Sequence, residues 1–172
     1  MADVDVRTAI RTRRTHKAYG TEPVSPAVLE ELLELARWAP NHHLTEPWRF
    51  RVLGPQTLTQ LVAAAEPSEG LKLRRAPTLV VASATQNGDE HENGEDLLAT
   101  ACAVYIVLLA AHARGLASYW RTPELLETPA GRAAVGLPDD EQFVALIHLG
   151  EPVTSPPAKE RRPAAEYVAF LP

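Results

Sequence analysis

The chain of 172 residues contains a single cysteine, Cys102. One thiol excludes an internal disulfide and a metal site built from several thiolates. Cationic residues are in the minority, because 17 Lys and Arg stand against 22 Asp and Glu and give a net charge of -5. A general nucleic-acid binder or a protein held on an anionic membrane needs a basic field, so both classes are excluded. Any anion site must therefore be local.

Long apolar segments are also missing. The longest apolar run, residues 97–113, is too short and too mixed for a membrane span. No signal peptide is indicated, because four arginines interrupt the start of the chain: Arg7, Arg11, Arg13 and Arg14. With 45% hydrophobic residues to form a core, we expect one domain over residues 1–172, located in the reducing cytoplasm.

Two kinds of local signal predict the helices. A hydroxyl residue followed by proline is typical of helix N-termini, and it occurs at Ser25-Pro26, Thr122-Pro123 and Thr128-Pro129. Apolar residues at helical spacing predict further helices over residues 4–14, 55–65 and 97–114. In the first of these, Val6, Ile10 and Ala9 are expected to face the core. The last is apolar on nearly all sides, which is typical of a central helix or a subunit interface.

Strands are predicted over residues 49–53, 78–84, 117–120 and 142–149. The second of these is a run of β-branched and small apolar residues, so it is expected to be buried on both faces. Residues 86–96 (QNGDEHENGED) are polar, acidic and contain glycine, which predicts a surface loop. Helices that alternate with strands in this way favour an α+β or α/β fold over a helical bundle.

Residues 151–172 form an unusual tail. They are rich in proline and charge as far as Pro163 and end in an apolar stretch, residues 167–170. An extended arm with an apolar tip needs a surface on which to dock, and a neighbouring subunit is a plausible one.

Two polar segments indicate the chemistry. Residues 13–17 (Arg-Arg-Thr-His-Lys) concentrate cations and a hydroxyl, which suits a phosphate, although Arg13 and Arg14 are also compatible with an ordinary cationic helix end. One helix later, residues 39–50 form a polar, proline-stiffened loop that runs into an apolar strand. Together they suit a phosphorylated aromatic cofactor.

Several segments, taken in order, resemble the nitroreductase family of FMN-dependent oxidoreductases. Arg-Arg-Thr-x-Lys-x-Tyr is similar to the family's Arg-Arg-Ser-x-Arg-x-Phe, and Ala-Pro-Asn-His-His-Leu-Thr-Glu-Pro-Trp-Arg-Phe to its Ala-Pro-Ser…Gln-Pro-Trp-x-Phe. Further similarities are a Gly-Leu turn after the central helix, Trp-Arg-Thr where compact members have Trp-Arg-Ser, a Gly-x-Pro turn, and a basic C-terminal arm. The resemblance covers essentially the whole chain.

The resemblance implies an α+β fold, a three-layer sandwich with a central antiparallel or mixed sheet flanked by helices. It implies an intertwined homodimer in which residues 151–172 dock on the partner subunit and FMN lies at the interface. NADPH or NADH would reduce the flavin in a ping-pong reaction, and a small aromatic acceptor such as a nitroaromatic or a quinone would then be reduced. The implied cofactor-binding residues are Arg13, Arg14, Thr15, Lys17, Asn41, His42, Leu44, Trp120, Arg121, Thr122, Lys159, Arg161 and Arg162.

Some positions depart from the family pattern or stay open. Glu46 replaces a usual Gln, Leu44 a frequent Asn, and Trp38 an Arg of compact members. A cation at Lys72, Arg74 or Arg75 is compatible with a place near the flavin or nicotinamide. We nominate no catalytic acid or base. Neighbouring His42 and His43 point apart and lack further ligands, so no metal is expected.

Three other functions fit parts of the pattern. A flavin enzyme for a dedicated substrate, by dehalogenation or dehydrogenation, would need the same phosphate site. A flavin carrier or sensor without turnover would need it too. A helical dimerisation domain without cofactor would not explain the clustered Arg13, Thr15 and Lys17.

Overall fold

The computed structural model of the protein describes residues 4–172, so residues 1–3 of the predicted domain lie outside it. These residues form six α-helices and four β-strands. In chain order they are α1 (Val6–Thr12), α2 (Pro26–Ala36), β1 (Trp48–Val52), α3 (Pro55–Ala63), α4 (Pro67–Leu73), β2 (Thr78–Thr85), α5 (Glu90–Ala113), β3 (Ala117–Arg121), α6 (Pro129–Val135) and β4 (Glu141–Gly150). Short 3₁₀ helices span His42–Leu44, Glu124–Glu127 and Ala164–Glu166.

The four strands form one sheet in the order β1-β2-β4-β3, and every neighbouring pair is antiparallel. The central strands β2 and β4 are buried along almost their whole length. The prediction that the β-branched run within β2 is covered on both faces is confirmed. All four predicted strands are present, with no end shifted by more than one residue.

Helices cover both faces of the sheet. On one face α2 and α5 pack against strand residues such as Val80 and Ile147. On the other face α3, α4 and α6 pack against the residues that alternate with these, including Leu79 and Leu146. Because successive strand residues point to opposite faces, one strand contributes side chains to the hydrophobic cores on both sides of the sheet. The three-layer α+β sandwich implied by the resemblance is confirmed.

The hydroxyl-proline signals correctly mark helix starts. The Ser25 side chain accepts a hydrogen bond from the Val28 amide at the start of α2, and Thr128 accepts one from the Gly131 amide at the start of α6. Thr122-Pro123 introduces only the 3₁₀ helix Glu124–Glu127. The next helix start follows at Thr128-Pro129, which leaves no room for a longer helix.

The predicted surface loop over residues 86–96 is wrong in its second half, because α5 already begins at Glu90. Asp89 caps the helix by accepting hydrogen bonds from the amides of His91 and Glu92. The acidic residues that suggested a loop instead stabilise the positive end of the helix dipole. Helix α4 was missed, although Pro67 stands at its first position.

The orientation predicted for α1 is wrong in part. Ala9 is buried, but Val6 is 73% exposed and Ile10 is 51% exposed. The apolar tip of the tail is exposed too and forms no strand, since a 3₁₀ helix precedes it. Apolar residues of α1 and of the tail therefore have no cover within the described chain.

Helix α5 also leaves one side uncovered. Its buried residues face α2 and the sheet, whereas Leu98 (69% exposed), Cys102 and Tyr105 recur at helical spacing on the outer side. By length and composition α5 could cross a membrane, but half of its most apolar window is buried inside the fold, as in the core helix of a globular protein. A buried helix with an apolar outer stripe is typical of a subunit interface.

Gly131 in α6 is required by a close approach of two backbones. A Cβ at this position would lie 1.9 Å from the Leu125 carbonyl oxygen. Gly131→Ala must therefore separate α6 from the preceding 3₁₀ helix, and we expect it to lower the free energy of unfolding by about 3 kcal/mol. Urea denaturation measures this loss.

The matched control is Gly94→Ala in α5, where an added Cβ meets nothing within 4 Å. Alanine has the higher helix propensity, so this variant should gain about 0.5–1 kcal/mol. A similar loss in both variants would contradict the steric explanation.

Candidate functional site

The cationic segment of residues 13–17 lies along β3, at the edge of the sheet. Thr15 forms an isolated parallel bridge with Ser118, and the His16 amide donates to the Ser118 carbonyl oxygen at 3.1 Å. The chain leaving β4 returns beside it, because Tyr19 bridges Pro152 and the Gly20 amide donates to the Glu151 carbonyl oxygen. The start of the fold and the C-terminal arm are thus held side by side.

Between these two segments lies a cavity of about 450 Å³. Five cationic side chains and no carboxylate are among the described residues that line it. The full lining is Arg13, Arg14, Thr15, Lys17, Tyr119, Pro156, Pro157, Lys159 and Arg161. Guanidinium forks, ammonium groups and a hydroxyl are the donors that a phosphate dianion prefers. We call this space the cationic cavity.

Arg14 differs from the other cations of this cavity. Its Nη1 donates to the carbonyl oxygens of Arg11 (2.7 Å) and Arg13 (2.9 Å), so it satisfies the C-terminal end of α1. The alternative interpretation of a cationic helix end therefore applies to Arg14. Arg162 does not line the cavity, although its neighbour Arg161 does.

Residues 41–46, within the predicted polar loop, have an unusual backbone. His43, Leu44 and Glu46 have φ angles of 52°, 54° and 44°, in the left-handed region that side chains disfavour. Each such residue costs roughly 1–2 kcal/mol, and backbone strain of this kind clusters at functional sites. The rest of the structure must hold the loop in this shape.

Three polar side chains hold the loop. Asn41 spans it: its Nδ2 donates to the Ala39 carbonyl oxygen at 3.1 Å, and its Oδ1 accepts from the Glu46 amide at 2.9 Å. Thr45 Oγ1 donates to Asp96 Oδ1 at 2.6 Å, and Arg49 donates to the Glu46 carbonyl oxygen at 3.0 Å. The Asn41 side chain, which was predicted to contact the flavin ring, therefore also stabilises the shape of the loop.

Asn41 and His42 line a second cavity of about 390 Å³, which we call the loop cavity. Its other lining residues include three from the outer side of α5: Glu95, Leu98 and Cys102. It shares no lining residue with the cationic cavity. A single chain therefore presents the two predicted halves of the site in separate places. Leu44 is exposed nearby.

The side chains of residues 120–122 do not line either cavity. Trp120 packs on the core of the α2–α5 face, and Thr122 is exposed. Arg121 points to the opposite face, where its Nη2 binds Glu69 Oε1 of α4 at 2.6 Å. Tyr119, which was not predicted, lines the cationic cavity instead. The alternation of side chains along a strand could have pointed to Tyr119, because residues 119 and 121 lie on the same face of β3 and Arg121 was already a candidate.

The basic residues at the end of α4 and directly after it line neither cavity. Lys72 pairs with Glu69 at 3.2 Å, and neither Arg74 nor Arg75 lines the cationic cavity or the loop cavity. The prediction that the neighbouring His42 and His43 side chains point apart is wrong, because their rings pack edge to face with centroids 3.9 Å apart. Across residues 4–172, no three His, Cys, Asp or Glu side chains are grouped so that they could hold a metal ion.

Behind Tyr119 lies a histidine that sequence reasoning missed. His148 of β4 is 1% exposed, has no hydrogen-bond partner among residues 4–172 at either ring nitrogen, and lies between the rings of Tyr19 and Tyr119. Burial, with smaller effects of Arg121 and Arg75, lowers its pKa to about 3. His148 is therefore neutral in the folded protein at physiological pH.

His148 should make the protein less stable as the pH falls. The unfolded chain takes up a proton near pH 6.5 but the folded protein only near pH 3, so between these values the unfolded state binds more protons. At pH 5 this contribution is about 2 kcal/mol. We expect His148→Phe to remove that part of the pH dependence in denaturation curves between pH 7 and pH 5. If the free energy of unfolding fell with pH equally steeply in the variant and the unchanged protein, this role of His148 would be contradicted.

The three-layer sandwich has close structural counterparts. The structure superimposes with a TM-score of 0.89 on a nitroreductase-like family protein of Bacillus cereus, which is 24% identical over 99% of this chain and 98% of that one. A Desulfovibrio desulfuricans protein, a "putative nitroreductase in complex with fmn", is 30% identical over 99% of both chains, with a TM-score of 0.81. The architecture is thus that of the nitroreductase-like proteins.

Sequence comparison gives the family. The model of the nitroreductase family matches residues 10–70 and 55–151. "Putative NAD(P)H nitroreductase YfhC" of Bacillus subtilis is 32% identical, covering 92% of this chain and 90% of its own. "Putative NAD(P)H nitroreductase YdjA" of Escherichia coli is 28% identical, covering 72% and 75%. The chain belongs to the nitroreductase family, so the predicted family and enzyme class are confirmed.

Proposed function

We propose that the protein is an FMN-dependent NAD(P)H oxidoreductase that reduces nitroaromatics, quinones or related small acceptors. The observation that carries this proposal is the cationic cavity, formed where residues 13–17 meet the C-terminal arm. Its donors fit the phosphate of FMN in charge and in hydrogen-bonding chemistry. When bound, the flavin supplies a ring that takes a hydride from the nicotinamide and passes it to the acceptor.

The chain's own residues would bind and orient the cofactor. Arg13, Thr15 and Lys17 would hold the phosphate from one side of the cavity, and Lys159 and Arg161 would hold it from the arm. The strained loop would meet the ring through its backbone and through Asn41. A rigid loop serves this role, because hydride transfer needs the reacting atoms close together and aligned.

The same geometry supports a homodimer. The cationic cavity and the loop cavity lie apart within one chain, and the outer side of α5 that borders the loop cavity is apolar and uncovered. We propose that a second copy packs on this side, so that the loop of one subunit meets the flavin held by the other. Residues 151–172 would then dock on the partner with their exposed apolar tip. We place this dimer in the cytoplasm.

A visible absorption spectrum of the purified protein, repeated under anaerobic conditions with NADPH and then with NADH, tests the proposal. Flavin bands that bleach with either nucleotide support a reductase and identify its donor. Flavin bands that persist with both would favour a carrier or an enzyme that its own substrate reduces. Failure to bind flavin after reconstitution with FMN would refute the assignment.

A further inference from the structure

Asp96 is a buried carboxylate in a place where stability alone does not require one. It is the seventh residue of α5, is 5% exposed, and forms no ion pair within residues 4–172. Burying a carboxylate without a cation is unfavourable unless hydrogen bonds compensate. The partner that Asp96 does have is the hydroxyl of Thr45.

Thr45 lies at the centre of the strained loop. It stands between Leu44 and Glu46, both of which have left-handed backbones. Because a carboxylate only accepts, the Thr45 hydroxyl donates to Asp96 Oδ1, at 2.6 Å. The contact ties the most strained part of the loop to α5, the longest helix of the fold. The other two loop contacts, from Asn41 and Arg49, come from the loop and its following strand.

We infer that Asp96 is a positioning residue, which acts through Thr45 to hold the loop in the shape that receives the flavin ring. This inference rests on the proposed function. The strained backbone then has a function, because a loop that is already fixed in shape loses less conformational freedom when the cofactor binds. Asp96 touches neither the acceptor nor the cofactor in this scheme.

The surroundings of the flavin ring and of the phosphate can be measured separately. The loop cavity shares no residue with the cationic cavity, so a change at Thr45 should disturb the ring and leave the phosphate in place. The visible circular dichroism of bound FMN reports on the surroundings of the ring. The ³¹P NMR resonance reports on the phosphate.

Thr45→Val, which removes only the hydroxyl, is the principal variant. We expect the dissociation constant for FMN to rise about 10-fold, since a hydrogen bond to a charged group is lost. At saturating FMN, the visible circular dichroism should change while the ³¹P resonance stays in place. Amide hydrogen exchange of residues 43–46 in the FMN-free protein should become faster. Asp96→Asn keeps a hydrogen-bond acceptor and should therefore lose less affinity for FMN than Asp96→Ala.

Thr59→Val in α3 is the matched control, because its exposed hydroxyl bonds only to the Pro55 carbonyl oxygen of its own helix. It should change none of these measurements. An unchanged FMN affinity, dichroism and exchange in Thr45→Val would overturn the inference, and so would a shift of the ³¹P resonance alone. Absence of FMN binding by the unsubstituted protein would instead refute the proposed function. Thermal unfolding of each variant separates a local effect from global destabilisation.

Discussion

Replacing Arg13 and Arg161 together by alanine should raise the dissociation constant for FMN about 1,000-fold and leave the protein folded. Both side chains line the cationic cavity, one from the start of the fold and one from the arm. Each charge-assisted hydrogen bond to a phosphate contributes about 1.5–3 kcal/mol, so two such losses multiply to roughly this factor. Fluorescence titration of FMN measures the affinity, and circular dichroism in the far ultraviolet checks the fold.

The neighbouring arginines provide a matched control. Arg11→Ala with Arg162→Ala removes the same charge from two exposed positions that do not line the cavity. Long-range attraction between exposed charges is screened by salt, so this pair should change the affinity by no more than about three-fold. Equal losses in the two double variants would mean that net charge, and not the cavity, holds the phosphate.

Introducing Leu98→Glu and Tyr105→Glu on the outer side of α5 should convert the proposed dimer to monomers and reduce FMN affinity with it. Both residues belong to the uncovered apolar stripe. Packing a second copy there would bury two carboxylates per subunit without partners, which costs several kcal/mol. We expect the dimer dissociation constant to rise at least 100-fold, as measured by analytical ultracentrifugation with FMN absorbance detection.

Val52→Glu with Leu71→Glu is the control for that experiment. These are also exposed apolar residues, but they lie on β1 and α4, away from the stripe. The control should stay dimeric and retain its flavin. A monomeric Leu98→Glu, Tyr105→Glu variant that binds FMN with full affinity would show that one chain holds a complete site, contrary to the proposed function.

Features encoded by short-range signals could be predicted from the sequence. The Ser25-Pro26 start of α2, the buried strand β2 and the grouping of Arg13, Thr15 and Lys17 each depend on residues close together in the chain. That Lys159 and Arg161 face the same cavity was not implied by spacing, because they are far from residues 13–17 in sequence. The resemblance to a family supplied that pairing.

Other features were not predicted. Residues 90–96 were expected to be a loop because of their polarity, although Asp89 directly before them is a local signal for a helix start. For the same reason Asp96 was not recognised as a buried partner of Thr45. The prediction that Val6 and Ile10 face the core was wrong within one chain, because Ala9 is the residue of α1 that is buried there.

The cationic cavity lies where residues 13–17 and the arm run side by side at the edge of the sheet, so a cofactor bound there would fasten together the two ends of the fold. Any ligand that binds only the folded state adds its binding free energy to the resistance of that state against opening. The arm carries Lys159 and Arg161, which are cleavage points for trypsin-like proteases once the arm is released. The lifetime of the protein would therefore follow the supply of flavin, and molecules that lack it would be degraded first.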